Sequence, residues 1–285
     1  MLHIHMDDGF LIGKSKELIL TFLEDLNSRL KLKFKKQPSQ HLGYNLIWKK
    51  EKILINQSNL ISKLSKPHDM LECKRVKTPC NGYFLQEIEG NSQVINLTKY
   101  QQVIGSLNYL AQHTRPYIMY TVNQLSRYCT NPTAKNWISL KHLLRYLKGT
   151  MTYNPIYKKS QSLSLISELM GWEDTDYENA KEDCKSISGY VIQVYENPVC
   201  WLSKRQSVVA QSTTEAEYIS MNVCAKQMQW LSLILQDLGQ DIEKPTLLND
   251  NSGTVIISKQ ASLNTNTKHI EVRYQSLTLK ILEEC

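Results

Sequence analysis

Paired cysteines and long apolar runs are both missing from this chain. Its seven cysteines (Cys73, Cys80, Cys129, Cys184, Cys200, Cys224 and Cys285) are odd in number and widely scattered, with no Cys-x-x-Cys pair. They read as reduced thiols of an intracellular protein, not as a disulfide frame or a zinc site. The longest apolar stretches, such as Leu18 to Leu20 and Leu233 to Leu235, fall far short of the roughly 20 residues a bilayer span needs. The start MLHIHMDDGF has no basic segment leading into an apolar one, so neither export nor membrane insertion is expected. Compositional extremes are absent too: 41% hydrophobic and 21% charged residues exclude collagen-like, low-complexity and wholly disordered chains. At 285 residues the protein can bury a substantial core in one large domain or two ordinary ones.

Carboxylates are missing locally. None occurs from Tyr100 to Ser160, where Arg115, Arg127, Lys135, Lys141, Arg145, Lys148, Lys158 and Lys159 are all positive. Residues 1 to 160 hold 24 Lys and Arg against 10 Asp and Glu, and the remainder holds 10 against 17, giving halves of +14 and −7 in a chain of net charge +7. The basic half is suited to a polyanion, with Arg127, Lys141, Arg145 and Lys148 as candidate nucleic-acid contacts, joined by Lys204 and Arg205. The acidic half is suited to holding cations.

What is present is an ordered series of elements. The first segment predicts a hairpin turning at Asp8-Gly9, and Ser15 predicts the cap of an amphipathic helix carrying Leu18, Ile19, Phe22, Leu23, Leu26 and Leu30. Residues 60 to 150 predict helices opening near Thr98, Pro116 and Asn131-Pro132, the last ending at Gly149. Residues 151 to 162 lack periodicity and offer the best domain boundary. Leu163 to Trp172, Ser188 to Tyr195 and Val199 to Ser203 predict successive antiparallel strands, followed by a long helix from about Thr214 to Leu238, a strand Pro245 to Asn249 and a helix with Val255 to Ile257. The expected class is α/β (α+β overall), a mixed sheet covered by helices.

Acids at the ends of these elements are the clearest chemical signal. Asp174 and Asp176 follow one strand, Glu215 and Glu217 lie in the first turn of the long helix, and Asp250 ends another strand. Each alone has an ordinary use in a turn or cap. Together they form an oxygen donor set for Mg²⁺ or Mn²⁺ and for phosphodiester chemistry. Ser212-Thr213-Thr214-Glu215 is a capping arrangement, so Glu215 is expected to cap while Glu217 faces elsewhere. Asp7 and Asp8 form a second candidate metal pair, because adjacent ionised carboxylates repel unless a cation neutralises them. His3 and His5 read either as a site of their own or as solvated side chains, and Trp137 and Tyr146 either as packing or as base-stacking platforms.

The ordered motifs resemble the carboxy-terminal part of a copia-type retrotransposon polyprotein, from the reverse transcriptase palm through the connection into ribonuclease H. Met6-Asp7-Asp8 is similar to the end of the Tyr-Val-Asp-Asp box, and Leu42-Gly43 to a later Leu-Gly. Thr78-Pro79, Ile104 to Leu110, Arg115-Pro116 and Arg145 to Thr150 resemble the connecting segment. Asp174-Thr175-Asp176-Tyr177 resembles Asp-Ala-Asp-Trp, Lys185 to Tyr190 resembles Lys-Ser-Thr-Ser-Gly-Tyr, and Ser212 to Tyr218 resembles Ser-Ser-Thr-Glu-Ala-Glu-Tyr, with Asp250-Asn251 and Lys268-His269-Ile270 following in order.

This resemblance implies a palm remnant at 1–60, a basic helical thumb or connection at 61–160 and a ribonuclease H-like domain at 161–285. It implies Asp174, Glu217 and Asp250 as catalytic metal-binding acids, an RNA–DNA hybrid or template-primer as partner, and location in a cytoplasmic particle or nucleus. Starting at the second polymerase carboxylate motif, the fragment is expected to lack DNA synthesis by itself. Stopping before the family's Ala-Asp-x-x-Thr-Lys segment, it is expected to lack the fourth ribonuclease H acid, and Glu271 stands in the Asp place of His-Ile-Asp. His5, Tyr117 and Asn136 depart from the pattern as drift. Two functional readings follow: cleavage of RNA within hybrids, with an intact Pol polyprotein as a further partner, or an inactive remnant that binds nucleic acid through its basic half.

Overall fold

A computed structural model describes residues 1–6, 8–13, 15–66, 73–80, 96–159, 169–180, 184–240, 245–259 and 280–283, with 178–180, 257–259 and 280–283 described through their backbone alone. Strands β1 (Leu2–His5) and β2 (Asp8–Leu11) form an antiparallel ribbon. Asp8 already pairs with His5 and Gly9 with Ile4, so the chain reverses from Met6, at φ 51°, and not at Asp8-Gly9. Matching Leu2 to Leu11 across the ribbon sets this register. Helix α1 (Lys16–Arg29) starts as the sequence predicts, with the Ser15 hydroxyl accepting from the Leu18 N–H at 3.3 Å. None of its residues is buried.

Strands β3 (Gln40–His41), β4 (Tyr44–Lys49) and β5 (Lys52–Asn56) continue in sequence, and β6 (Ile156–Lys158) joins them to complete an antiparallel sheet in the order β3-β4-β5-β6. Leu42 and Gly43 between β3 and β4 have φ of 45° and 80°, the left-handed pair that a two-residue hairpin turn demands. The stretch after Gly149 therefore holds a strand, although three residues are too few to show a period.

Helices α2 (Ser58–Ser65), α3 (Leu97–His113), α4 (Met119–Ser126) and α5 (Ala134–Gly149) enclose the first core, built on Ile61, Tyr100, Leu107, Leu110, Leu125 and Leu143. The α3 cap is Asn96, whose side-chain oxygen accepts from the Lys99 N–H at 2.9 Å, and not Thr98. Helix α5 opens at Thr133, past Asn131-Pro132, in a capping box closed by Asn136. Asn136 is thus the reciprocal partner of the cap, which gives this departure from the family pattern a structural use. Tyr117, the other departure beside Arg115, accepts a hydrogen bond from that buried guanidinium, which also donates to the carbonyls of Thr150 at 2.6 Å and Met151 at 3.2 Å. Tyr146 belongs to the core, while Trp137 packs on its edge between the ammonium groups of Lys99 and Lys141.

The second core lies between a five-stranded sheet and helix α6 (Thr213–Asp237). Strands β7 (Leu169–Ala180), β8 (Lys185–Val194) and β9 (Asn197–Arg205) are antiparallel, as their short connections predict. Strand β10 (Thr246–Asn249) runs parallel to β7, and β11 (Lys280–Glu283) runs parallel to β10. The order β11-β10-β7-β8-β9 puts the first strand of this unit at its centre, and helix α7 (Ser252–Lys259) follows β10 directly. This is the mixed, helix-covered sheet that the sequence predicts. Residues 163–168 of the predicted Leu163 to Trp172 strand lie outside the described residues, and β7 runs on past Asp174 and Asp176 instead of ending before them.

Candidate active site

Strand alternation and one glycine position the site. Along β7, Gly171, Glu173 and Thr175 share a face. A Cβ added at Gly171 would meet Met228 Sδ at 2.6 Å and Cys224 Sγ at 3.0 Å, so α6 lies close against the centre of the sheet. Thr175 donates to the Ala216 carbonyl at 3.3 Å, and Ser220 donates to the Asp174 carbonyl at 3.3 Å, pinning the first turns of α6 to the end of β7. Glu217, Met221, Cys224 and Met228 follow one another at helical spacing, and all four are buried. The same stripe that packs the helix therefore carries Glu217 over the strand ends.

Asp174 on β7, Glu217 on α6 and Asp250 just beyond β10 each bring a carboxylate oxygen within 4.8 Å of the other two. Asp174 and Asp250 are exposed and Glu217 is buried. Glu217 has its pKa pushed up to about 7, first by burial and then by the negative charges of Asp174 and Asp250. No salt bridge to any of the three occurs among the described residues. Hard oxygen donors that repel one another, with no salt-bridge partner among the described residues, describe a donor set that fits a divalent ion.

Glu215 does not join them. It caps α6, its carboxylate accepting from the Gln211 N–H at 2.8 Å while Ser212 Oγ accepts from the Glu215 N–H at 3.1 Å. Asp8 is exposed at the start of β2 and belongs to no acidic group of three among the described residues, and Asp7, Lys268-His269-Ile270 and Glu271 lie outside them.

Two residues of the site carry no motif signal. Glu173 is 5% exposed and Asn249 fully buried. The Asn249 side-chain amide donates to Glu173 Oε1 and, at 3.5 Å, to Glu217 Oε2, while its Oδ1 accepts from the Asn251 N–H at 2.8 Å. Burial pushes the Glu173 carboxyl up to about 8. Only the strand period hints at Glu173, as a charged residue on the face that meets a helix.

The candidate nucleic-acid residues are distributed. Arg145 Nε donates to the Lys74 carbonyl at 2.6 Å, Lys148 Nζ lies 3.5 Å from the Cys73 carbonyl, and His142 Nε2 is 2.9 Å from the Thr78 carbonyl. These side chains fasten the segment 73–78 along α5. Lys141 stands over the Trp137 ring, and Arg127 donates to Gln124 at 3.1 Å. Lys204 is exposed near the end of β9, with Arg205 beside it half-buried.

No family model matches the chain. Its sequence is 31% identical over 272 residues to the retrovirus-related Pol polyprotein from transposon RE1 of Arabidopsis thaliana, covering 95% of this chain and 18% of that protein. It is also 31% identical over 285 residues to the retrovirus-related Pol polyprotein from transposon TNT 1-94 of Nicotiana tabacum, covering 96% and 21%. Over nearly its whole length the chain is similar to a segment of copia-type retrotransposon Pol polyproteins. It spans about a fifth of the length of these curated relatives. A solved structure of the foamy viral protease-reverse transcriptase in complex with dsDNA matches with a TM-score of 0.50 at 10% identity, over 100% of this chain and 54% of that one. At that identity the likeness is one of fold, and the chain has a mixed α/β architecture built on mixed and antiparallel sheets.

Proposed function

We propose that this chain carries a ribonuclease H centre that cleaves the RNA strand of RNA–DNA hybrids with Mg²⁺ or Mn²⁺. The observation that supports this most is the meeting of Asp174, Glu217 and Asp250, drawn from three separate elements, within 4.8 Å. Divalent ions held there would activate a water for in-line attack on phosphorus and stabilise the leaving 3′ oxygen.

The chain's own residues have distinct parts in this reading. Asp174 and Asp250, exposed, face the substrate side, and Glu217 anchors the donor set from within the packed helix. Burial of Glu217 keeps its carboxylate from wandering, which matters because metal spacing sets the geometry of attack. The resemblance assigns residues 1–60 to a palm remnant, 61–160 to a connection and 161–285 to the nuclease unit. Lys141, Arg127, Lys204 and Arg205 neutralise the backbone of the bound duplex, and Arg145 and Lys148 contribute through the segment they fasten. Hydroxyls at the 2′ position distinguish the RNA strand from DNA.

The test is cleavage of a labelled RNA–DNA hybrid by the full chain in Mg²⁺, beside a DNA duplex of the same sequence and beside Asp250→Asn. Hybrid-specific products from the wild type that vanish in the variant are expected. Equal background from both would leave a remnant that at most binds nucleic acid.

A further inference from the structure

The acids of the proposed centre do not stand alone: Glu217 is held by a residue that belongs to neither the donor set nor the core. Asn249 ends β10 immediately before Asp250, and it is fully buried between β7 and α6. Its Oδ1 is fixed by the Asn251 N–H at 2.8 Å, which dictates that Nδ2 points the other way. That nitrogen carries two protons, and two carboxylates receive them, Glu173 on β7 and Glu217 on α6 at 3.5 Å. The parallel pairing of β10 with β7, with Leu248 opposite Trp172, is what brings position 249 alongside position 173.

We propose that Asn249, anchored by Glu173, is a positioning residue that turns the Glu217 carboxylate toward Asp174 and Asp250 and so sets the affinity of the centre for its divalent ion. This rests on the reading of the acids as a metal site. Three features carry it. The Asn249 amide is the neutral donor that links both buried carboxylates among the described residues. Its orientation is fixed at both ends. Glu173 is too deep to serve as substrate contact at 5% exposure, and it lies outside the group of three whose oxygens converge. A buried carboxyl that neither packs as an apolar group nor binds the ion is costly, and its placement against the Asn249 amide gives it a use. Ligating carboxylates are commonly oriented by such partners, whose loss weakens metal binding about tenfold or more.

The test is titration of the full-length chain with Mn²⁺, reading free ion by electron paramagnetic resonance, with thermal unfolding measured in chelator alongside. Asn249→Ala and Glu173→Leu are expected to weaken Mn²⁺ binding about tenfold, whereas Glu173→Gln, whose side-chain carbonyl still accepts from Asn249, stays near wild type. Because Glu173→Leu removes a buried carboxyl, its metal-free stability holds or rises while affinity falls, a combination that a purely structural role does not give. Wild-type affinity in both Glu173→Leu and Asn249→Ala would overturn the proposal while leaving the metal site standing. Should Asn249→Ala fail to fold, the contrast between Glu173→Leu and Glu173→Gln decides alone. Absence of Mn²⁺ binding in the wild type, or binding unchanged in Asp250→Asn, would overturn the parent reading and this one together.

Discussion

Two carboxyls, Glu173 and Glu217, are held far above their usual range, at about 8 and about 7, with burial the first cause in each. An acid with a higher pKa folded than unfolded contributes its full stability below the unfolded value and loses it as pH rises through the folded one. The metal-free chain is therefore expected to lose stability between about pH 5 and about pH 8. Saturating Mg²⁺ should remove the part of that slope that Glu217 contributes and leave the part due to Glu173. Thermal unfolding at several pH values, with and without the ion, reads this out; a metal-free midpoint that climbs across the interval would contradict it. At this scale the sequence is partly legible. Asp174, Glu217 and Asp250 show themselves by type and by the ends of elements they occupy, and Ser212 separates Glu215 from Glu217 by giving the first a capping task. Asn249 and Glu173 are opaque because each acquires its role from a partner 76 residues away.

Local signals written in adjacent residues are legible at the scale of the element, and signals supplied by distant ones are not. Ser15 and Ser212 cap α1 and α6 as their sequences suggest. Asn96 and Thr133 are chosen over neighbours with equal capping chemistry because Tyr100, Leu140 and Leu143 must turn into the core. Strand β6 depends on distant partners, pairing with β5 about a hundred residues earlier. Gly171 shows how one position governs a layer. A side chain there would strike Met228, Cys224 and Leu247, the last at 3.2 Å. Overpacking of this kind costs about 1–3 kcal/mol, and Gly171→Val is expected to destabilise the chain by at least that amount in denaturant unfolding and to weaken Mn²⁺ binding by lifting α6 from the strand ends. A variant with wild-type stability would show that α6 is not so tightly seated.

Across the whole molecule, the chain divides its charge as it divides its packing. The helical core lies in the half that carries +14, and the sheet that gathers the acids lies in the half that carries −7. Polar contacts join them through β9: Trp201 Nε1 donates to the Ala111 carbonyl at 2.8 Å, Asn123 Nδ2 to the Ser203 carbonyl at 2.6 Å, and the Asn197 side chain pairs with the Lys158 backbone at 2.7 and 3.1 Å. These contacts also cover the outer edge of β9, which would otherwise be open to pairing with another chain. The acidic half holds the group of Asp174, Glu217 and Asp250 proposed as the metal centre. The most direct measurement of that centre is anomalous diffraction from crystals of the full chain grown with Mn²⁺. The account predicts density between Asp174, Glu217 and Asp250, with oxygens about 2.1 Å from the ion, lost in Asp174→Asn; a map with Mn²⁺ elsewhere only, or with the three carboxylates facing apart, would contradict it.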